Sequence, residues 1–301
     1  MAVEAPDCFN NKTIDNQLYT ILQKMVEKGY AEDIPSRECF NELTLDSQLY
    51  LVYAARKREL WTPTQLTSAV WLDAADSATI TLNGSTVSQW NDKSGNGRHV
   101  SQATAANQPT YTASGLNGKP VLTFDGVNDR LSTASTTLGI TNSASLAVVT
   151  QMSSRTPPEQ GIVGSDDLAA RFGFFITGAN MIRWNPIANA YNNIQASSVI
   201  GSQILVGTAQ SGSTALFRNG TSIATGTGPT GTMVSTPFGI GNMLPGTTLP
   251  HFSGPIAEVI VSSSAFSTTD RQKLEGYLAW KWGLQGSLPP THPYKNFPPE
   301  L

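Results

Sequence analysis

The sequence predicts a mainly β protein, in which a β-sandwich with one helix in its C-terminal region follows a small α-helical domain. Three observations lead to this fold class. The composition changes near residue 62, short apolar runs recur between turn-forming residues beyond that point, and one late stretch has helical spacing. Only 14% of the residues are charged and 39% are apolar, against about 25% and 45–50% in typical domains.

The domain boundary is predicted from composition. Residues 1–62 contain 7 Lys or Arg, 10 Asp or Glu, one Gly and two Pro. Residues 63–301 contain 12 Lys or Arg, 12 Asp or Glu, 25 Gly and 16 Pro. A shift from charge-rich to turn-rich sequence is typical of a boundary between domains. We therefore predict two domains, 1–62 and 63–301, joined at residues 61–64.

The first domain contains an internal repeat. Residues 8–19 align with residues 39–50 at an offset of 31, and eight of the twelve positions are identical. Such a period is typical of a duplicated supersecondary unit, and the apolar residues after each copy's Thr have helical spacing. Because two short helices bury little surface alone, we expect this piece to anchor the chain or to form an oligomer.

Two cysteines, Cys8 and Cys39, occupy equivalent positions of the repeat. They are either a disulfide-bonded or metal-binding pair, or two small buried residues that have the same packing role in each copy. We favour the unbonded pair, because buried free cysteine is common and no further metal ligands lie nearby in the sequence.

The second domain has the pattern of short strands separated by turns. Asn219-Gly220 predicts a hairpin turn, because this dipeptide accepts the two positive φ angles of a type I′ turn. The candidate strands include residues 70–72, 121–124, 146–149, 172–176, 204–206, 215–217 and 256–261.

One helix is predicted after these strands. Ser267 is a suitable N-cap with Asp270 three residues on, and Gly283 stands where a C′ glycine belongs. Between them, apolar residues fall on one helix face at Leu274, Tyr277, Leu278 and Trp282.

Several blocks of the sequence resemble those of a known family. They are residues 69–74 (AVWLDA), 90–97 (WNDKSGNG), 109–111 (PTY), 118–131 (GKPVLTFDGVNDRL), 216–220 (LFRNG) and 275–284 (EGYLAWKWGL). In this order they resemble the laminin-G-like, concanavalin A-like lectin domains of bacteria and phages, over about residues 66–297. The resemblance implies a jelly-roll sandwich of two antiparallel sheets. It implies little about function, because such folds include binding modules, hydrolases and inert spacers.

The carboxylates give little indication of catalysis. Glycoside hydrolysis normally needs two carboxyl groups about 5–10 Å apart, and the second domain has only Glu159, Glu258, Glu275 and Glu300. No Gly-x-Ser-x-Gly nucleophile motif occurs. We therefore expect a non-enzymatic protein, and keep a glycan hydrolase acting through Glu159 or Glu258 as an alternative.

Two oxygen-rich loops form a candidate calcium site, with no other cofactor indicated. Calcium takes six to eight oxygen ligands. In the alternative that we favour, the same side chains hydrogen-bond their own turns. The residues concerned are Asp92, Asn96, Asp125, Asn128 and Asp129.

Residues 183–193 form the most ligand-like segment, because sugars stack on aromatic rings while amides bind their hydroxyls. The candidate glycan platform is Trp184, Asn189, Tyr191, Asn192 and Asn193. The alternative is an ordinary polar loop with Trp184 in the core. We expect core positions for Trp71, Trp90, Trp280 and Trp282.

Charge and hydropathy limit the partners. A net charge of −3, with no Lys/Arg run longer than the three residues 56–58, excludes a nucleic-acid footprint. No apolar stretch approaches the roughly 20 residues of a membrane span. The first residues have no signal-peptide pattern, so we expect the protein to leave the cell as part of a virion, which is extracellular after release.

The predicted protein is a homo-oligomeric phage virion appendage, either a tail fibre or a head or neck decoration. Residues 1–62 would dock on other virion proteins, and residues 63–301 would adhere to host surface glycan.

Two other functions stay open at this stage. One is a structural decoration protein without a ligand. The other is an extracellular glycan hydrolase or a secreted carbohydrate-binding module.

Overall fold

The computed structural model describes residues 19–21, 23, 60–134, 138–152, 159–167, 170–179, 181–188, 193–229, 237–242 and 250–301. The chain divides into two units, Trp61–Pro299 and a second unit of Met1–Leu60 with Glu300–Leu301. In the unit that contains Met1–Leu60, residues 19–21 and 23 are helical. The duplicated helical domain otherwise lies outside the described residues, as do Cys8 and Cys39, so both remain predictions.

The unit Trp61–Pro299 is mainly β. Its first nine strands are β1 (Ser68–Asp73), β2 (Ile80–Asn83), β3 (Thr86–Trp90), β4 (Val100–Ser101), β5 (Thr110–Leu116), β6 (Lys119–Asp125), β7 (Leu131–Ser132), β8 (Ala144–Met152) and β9 (Gln160–Asp167).

The remaining elements include eight more strands and an α-helix. They are β10 (Ala170–Ile176), β11 (Met181–Ala188), β12 (Ile194–Ser197), β13 (Gly201–Gln210), β14 (Ser213–Arg218), β15 (Thr221–Gly226), β16 (Gly239–Ile240), β17 (Ser253–Ser262) and α1 (Thr268–Trp282). Each of the seven runs proposed as strands from the sequence lies inside one of these strands. No helix in the described part of the chain is both long and apolar enough to cross a membrane.

The strands pair in two antiparallel series. The first series runs β12-β11-β10-β9-β16-β7-β4-β3-β2. The second runs β15-β14-β13-β8-β17. The free edge of β17 pairs with β6 near its start and with β1 near its end, and β6 pairs with β5.

The two series face each other across a common core. Trp184 on β11 is fully buried, and its Nε1 donates to Oγ1 of Thr214 on β14 at 3.0 Å. A Cβ on Gly207 of β13 would lie 2.4 Å from the same indole. Because β11 belongs to the first series and β13 and β14 to the second, the arrangement is a sandwich. The predicted mainly β sandwich with a helix in its C-terminal region is confirmed.

The local turn and cap predictions are also confirmed. Asn219 and Gly220 have φ angles of 48° and 79°, as the hairpin turn requires. Ser267 accepts a hydrogen bond from the Asp270 amide at 3.0 Å, and Gly283 ends α1 with a φ of 68°. Of the tryptophans expected in the core, Trp71, Trp90 and Trp282 are buried and Trp280 is half-buried.

A buried carboxylate joins α1 to the strands. Glu258 of β17 is 0% exposed; its Oε1 accepts from Trp71 Nε1 at 2.8 Å and Tyr277 OH at 3.1 Å. Its Oε2 accepts from Trp282 Nε1 and pairs with Lys281 Nζ, each at 2.7 Å. Burial raises the pKa of Glu258, and the nearby Lys281 ammonium opposes that rise. We call these five residues the Glu258 network.

Candidate functional site

The side chains of β11 alternate between the two faces of its sheet, as in any strand. Ile182 and Trp184 point into the sandwich core. Arg183 and Asn185 therefore lie on the opposite face. The candidate site is built on that face.

Trp184 corrects the predicted glycan platform. Its indole is 0% exposed and packs against the rings of Phe172 and Phe174, with centroids 5.3 and 5.0 Å away. A sugar cannot stack on a ring that is enclosed in this way, so the assignment of Trp184 to the platform is wrong, and the alternative that placed it in the core holds.

The other platform residues follow β11 in the sequence. Asn189, Tyr191 and Asn192 fall outside the described residues, so their roles remain predictions. Asn193 is half-buried, and its Oδ1 accepts a hydrogen bond from Gln195 Nε2 at 2.8 Å. Asn193 therefore supports Gln195, which is exposed on β12.

Strand register defines the composition of this face. Arg183 stands opposite Phe175 of β10 and opposite Gln195 of β12, and directly opposed residues share a face. Phe175 is fully buried but lies outside the core cluster formed by the described residues. We call Phe175, Arg183, Asn185 and Gln195 the Asn185 face. Solvent exposure falls across the Asn185 face. Gln195 on β12 is exposed, whereas Asn185 on β11 is only 2% exposed.

The polar atoms of this face are incompletely satisfied. Within the described part of the chain, neither Nδ2 nor Oδ1 of Asn185 has a hydrogen-bond partner, and Arg183 Nε has none either. Arg183 Nη1 pairs with Glu159 Oε1 at 2.5 Å. Leaving a buried amide unpaired costs about 1–3 kcal/mol, and such groups in native proteins are normally hydrogen-bonded to protein or to ordered water. Asn185 thus has unused donors and an unused acceptor in the described part of the chain.

The Asp92 loop does not fit calcium. Oδ1 of Asp92 accepts from the amides of Trp71 and Ser94, both at 2.9 Å. Its Oδ2 accepts from Ser94 Oγ at 2.8 Å and the Arg98 amide at 3.0 Å. Asn96 donates its Nδ2 to the Ser68 carbonyl at 2.9 Å. Donor hydrogens directed at both carboxylate oxygens oppose a cation, so these residues hold their own turn.

In the second oxygen-rich loop, one carboxylate oxygen each of Asp125 and Asp129 accepts backbone amides. Oδ1 of Asp125 accepts from the amides of Val127, Asn128 and Asp129, and Oδ2 of Asp129 accepts from the Asp125 amide at 2.9 Å. Burial raises the pKa of Asp129 to about 6, and the Asp125 charge adds to the rise. Asn128 Oδ1 is buried and has no partner among the described residues.

The calcium assignment therefore lacks a suitable ligand set. Among the described residues, no group of three or more His, Cys, Asp or Glu side chains could hold a metal ion. The turn-stabilising alternative accounts for the observed hydrogen bonds.

Glu159 and Glu258, which the hydrolase alternative named, and also Glu275 are held by other side chains. Glu258 is enclosed in the Glu258 network. Glu159 is ion-paired with Arg183 at the Asn185 face. Glu275 is 0% exposed and pairs with Arg271 at 2.6 Å.

The ligand segment proposed from the sequence overlaps β11, which carries two residues of the Asn185 face. Arg183 and Asn185 lay inside the proposed ligand segment and were not selected. The alternation of apolar Ile182 and Trp184 with polar Arg183 and Asn185 is the signal that places them on the face away from the core.

Comparison with known families confirms the resemblance found in the sequence. Residues 125–270 match the family model described as the concanavalin A-like lectin/glucanases superfamily, Laminin_G_3. No curated protein sequence matches the chain.

Solved structures share the fold at low sequence identity. A Trypanosoma rangeli sialidase in complex with sialic acid is 13% identical with a TM-score of 0.52; the match covers 88% of this chain and 39% of the sialidase. Domain 4 of AbnA, a GH43 extracellular arabinanase from Geobacillus stearothermophilus, in complex with arabinotriose, is 14% identical with a TM-score of 0.51. That match covers 69% of this chain and 98% of the arabinanase domain. The chain thus spans about two fifths of the sialidase's length.

Proposed function

We propose that this chain is a non-enzymatic, lectin-like protein that binds a glycan at the Asn185 face. The observation that carries the proposal is the buried Asn185 amide, whose two polar atoms have no hydrogen-bond partner in the described structure. The match to a lectin/glucanase superfamily supports a role in glycan binding. The arabinotriose bound to the arabinanase domain gives an example of a sugar on a related fold.

The chemistry of the face suits sugar hydroxyls. A primary amide offers two N–H donors and a carbonyl acceptor, and a hydroxyl group both donates and accepts. Arg183 Nε adds a further donor within the same strand. The glycan would enter from exposed Gln195 and place one ring towards Asn185, at the enclosed end of the face.

Charge favours an uncharged glycan at this face. Glu159 and Arg183 form an ion pair with both side chains partly exposed, at 31% and 19%. A ligand therefore meets a balanced pair of charges. An acidic sugar would gain from Arg183 but be repelled by Glu159.

Binding of the full chain to purified neutral and acidic bacterial polysaccharides tests this proposal. Neutral polysaccharide is expected to bind saturably and without dependence on EDTA, since the described loops do not fit calcium. Asn185→Leu removes the amide at similar volume and is expected to weaken binding about tenfold or more.

The matched control is Thr150→Val, another buried polar-to-apolar change in a strand. Thr150 lies on β8 in the opposite sheet series, where its Oγ1 donates to the Pro255 carbonyl at 2.7 Å. Binding by Thr150→Val should equal that of the parent protein. Unchanged binding by Asn185→Leu, or no polysaccharide binding by the parent, would contradict the proposal.

We further propose that the protein works as an oligomeric appendage of a phage virion, with residues 1–62 docking on the particle. The charge-rich composition and duplicated motif of residues 1–62 support a separate anchoring role. A chain lacking residues 1–62 should fail to enter particles. Full-length Asn185→Leu should enter them but adhere poorly to cells. Incorporation of the shortened chain at the parent level would contradict the docking role.

A further inference from the structure

A small cavity lies where the β13–β14 hairpin meets the first turn of α1. Its volume is about 180 Å³, below the roughly 300–1,000 Å³ of sites for drug-sized ligands. Such a cavity suits a ligand of about one sugar ring. The described residues that line it differ from those of the Asn185 face, and include Gln210, Ser213, Phe217, Phe266, Thr268 and Arg271.

The Arg271 guanidinium is held in a fixed position at this cavity. Its Nη1 donates to Glu275 Oε2 at 2.6 Å, and its central carbon lies 3.9 Å from the ring centroid of Phe217. Its side chain is only 10% exposed. A cation fixed by an ion pair and a ring loses little rotamer freedom when a ligand binds.

The counter-ion of Arg271 is anchored away from the cavity. Glu275 is 0% exposed and is not one of the described lining residues. Its Oε2 also lies 3.2 Å from His292 Nε2, and His292 Nδ1 accepts from the Tyr294 amide at 3.2 Å. The ligand therefore meets the guanidinium without direct contact with a carboxylate.

We infer that this cavity binds a carboxylate-bearing ligand of about one sugar ring, such as a hexuronate. The planar guanidinium donates paired hydrogen bonds that match a carboxylate. Arg271 is the one charged group among the described lining residues. Ser213, Thr268 and Gln210 offer hydroxyl and amide groups for the ring hydroxyls, and Phe266 provides an apolar wall.

Calorimetric titration of the full chain with glucuronate and with glucose tests the inference. Glucuronate should bind about tenfold more tightly than glucose, because only the acid engages the guanidinium. Arg271→Lys keeps the charge but loses the paired donors, and should weaken glucuronate binding about tenfold.

A second variant tests the inference even if Arg271→Lys fails to fold. Ser213→Trp places a bulky side chain at an exposed lining position and should reduce glucuronate affinity about tenfold or more. Its control is Ser222→Trp, an exposed position on β15 outside the described lining, which should leave the affinity unchanged.

The inference would be overturned by equal affinity for glucose and glucuronate, by no glucuronate binding, or by full binding in Ser213→Trp. Asn185→Leu should retain glucuronate binding, so the outcome is independent of the proposed glycan site. Loss of glucuronate binding in Asn185→Leu would place the ligand elsewhere and would also overturn it.

Discussion

The Glu258 network and the Asn185 face both bury polar groups, but only the first satisfies them. Four donors from β1 and α1 meet the two oxygens of Glu258. The two polar atoms of Asn185 have no partner in the described part of the protein. A complete buried network specifies one arrangement of strand and helix. An incomplete one leaves hydrogen-bonding capacity that a ligand can use.

The largest expected effect is loss of stability in Glu258→Ala. This change leaves the Trp71 and Trp282 indole donors without their acceptor, and among the described carboxylates Lys281 keeps only Asp73 as a partner. Removing one partner of a buried ion pair costs about 3–5 kcal/mol. Urea unfolding followed by tryptophan fluorescence measures the loss. A loss as small as that of a typical surface substitution would show that the network contributes little to stability.

A smaller effect is expected for the stability of Asn185→Leu. No intramolecular hydrogen bond is lost, so the free energy of unfolding should change by less than about 1 kcal/mol. Thr150→Val, which leaves the Pro255 carbonyl without its donor, should cost about 1–3 kcal/mol in the same assay. A larger loss in Asn185→Leu than in Thr150→Val would make Asn185 a structural residue and remove the contrast between the two regions.

A pH-dependent effect is expected at Asp129, whose Oδ2 accepts a hydrogen bond from the Asp125 amide at 2.9 Å. Burial raises its pKa from 3.8 to about 6. The folded state therefore binds this proton more tightly than the unfolded state. The resulting stability is present below about pH 4 and is lost as the pH rises through about 6.

Asp129→Asn removes this titration. Its stability relative to the parent should rise between about pH 4 and pH 7, which urea unfolding at a series of pH values would measure. A constant difference between the two proteins across that range would contradict the raised pKa.

The features that the sequence predicted correctly are those decided by neighbouring residues. Asn219-Gly220 determines its own turn, and Ser267 with Asp270 determines where α1 begins. The partners of Glu258 could not be predicted, because Trp71 lies 187 positions away in the sequence. Only the pairing of β1 with β17 brings the two residues together.

The candidate sites were harder to predict because one residue pattern serves two purposes. Asp, Asn and Gly in a loop suit both calcium and self-bonded turns, and only the donors directed at Asp92 distinguish these uses. Aromatic residues likewise fill cores and bind sugars. The assignment of Trp184 depended on which face of β11 it occupies, and that required the opposing sheet.

The pairing of β1 with β17 also has a consequence for synthesis of the chain. At about 5–20 residues per second, a ribosome needs about 10–40 s to make the segment between Trp71 and Glu258. During this interval β1 has no partner strand, and α1 has not been made. Closure of the sandwich is therefore a late event with high contact order, and such topologies fold slowly. Nascent chains would expose an unpaired strand edge until β17 has been made, which makes this period the most vulnerable to aggregation.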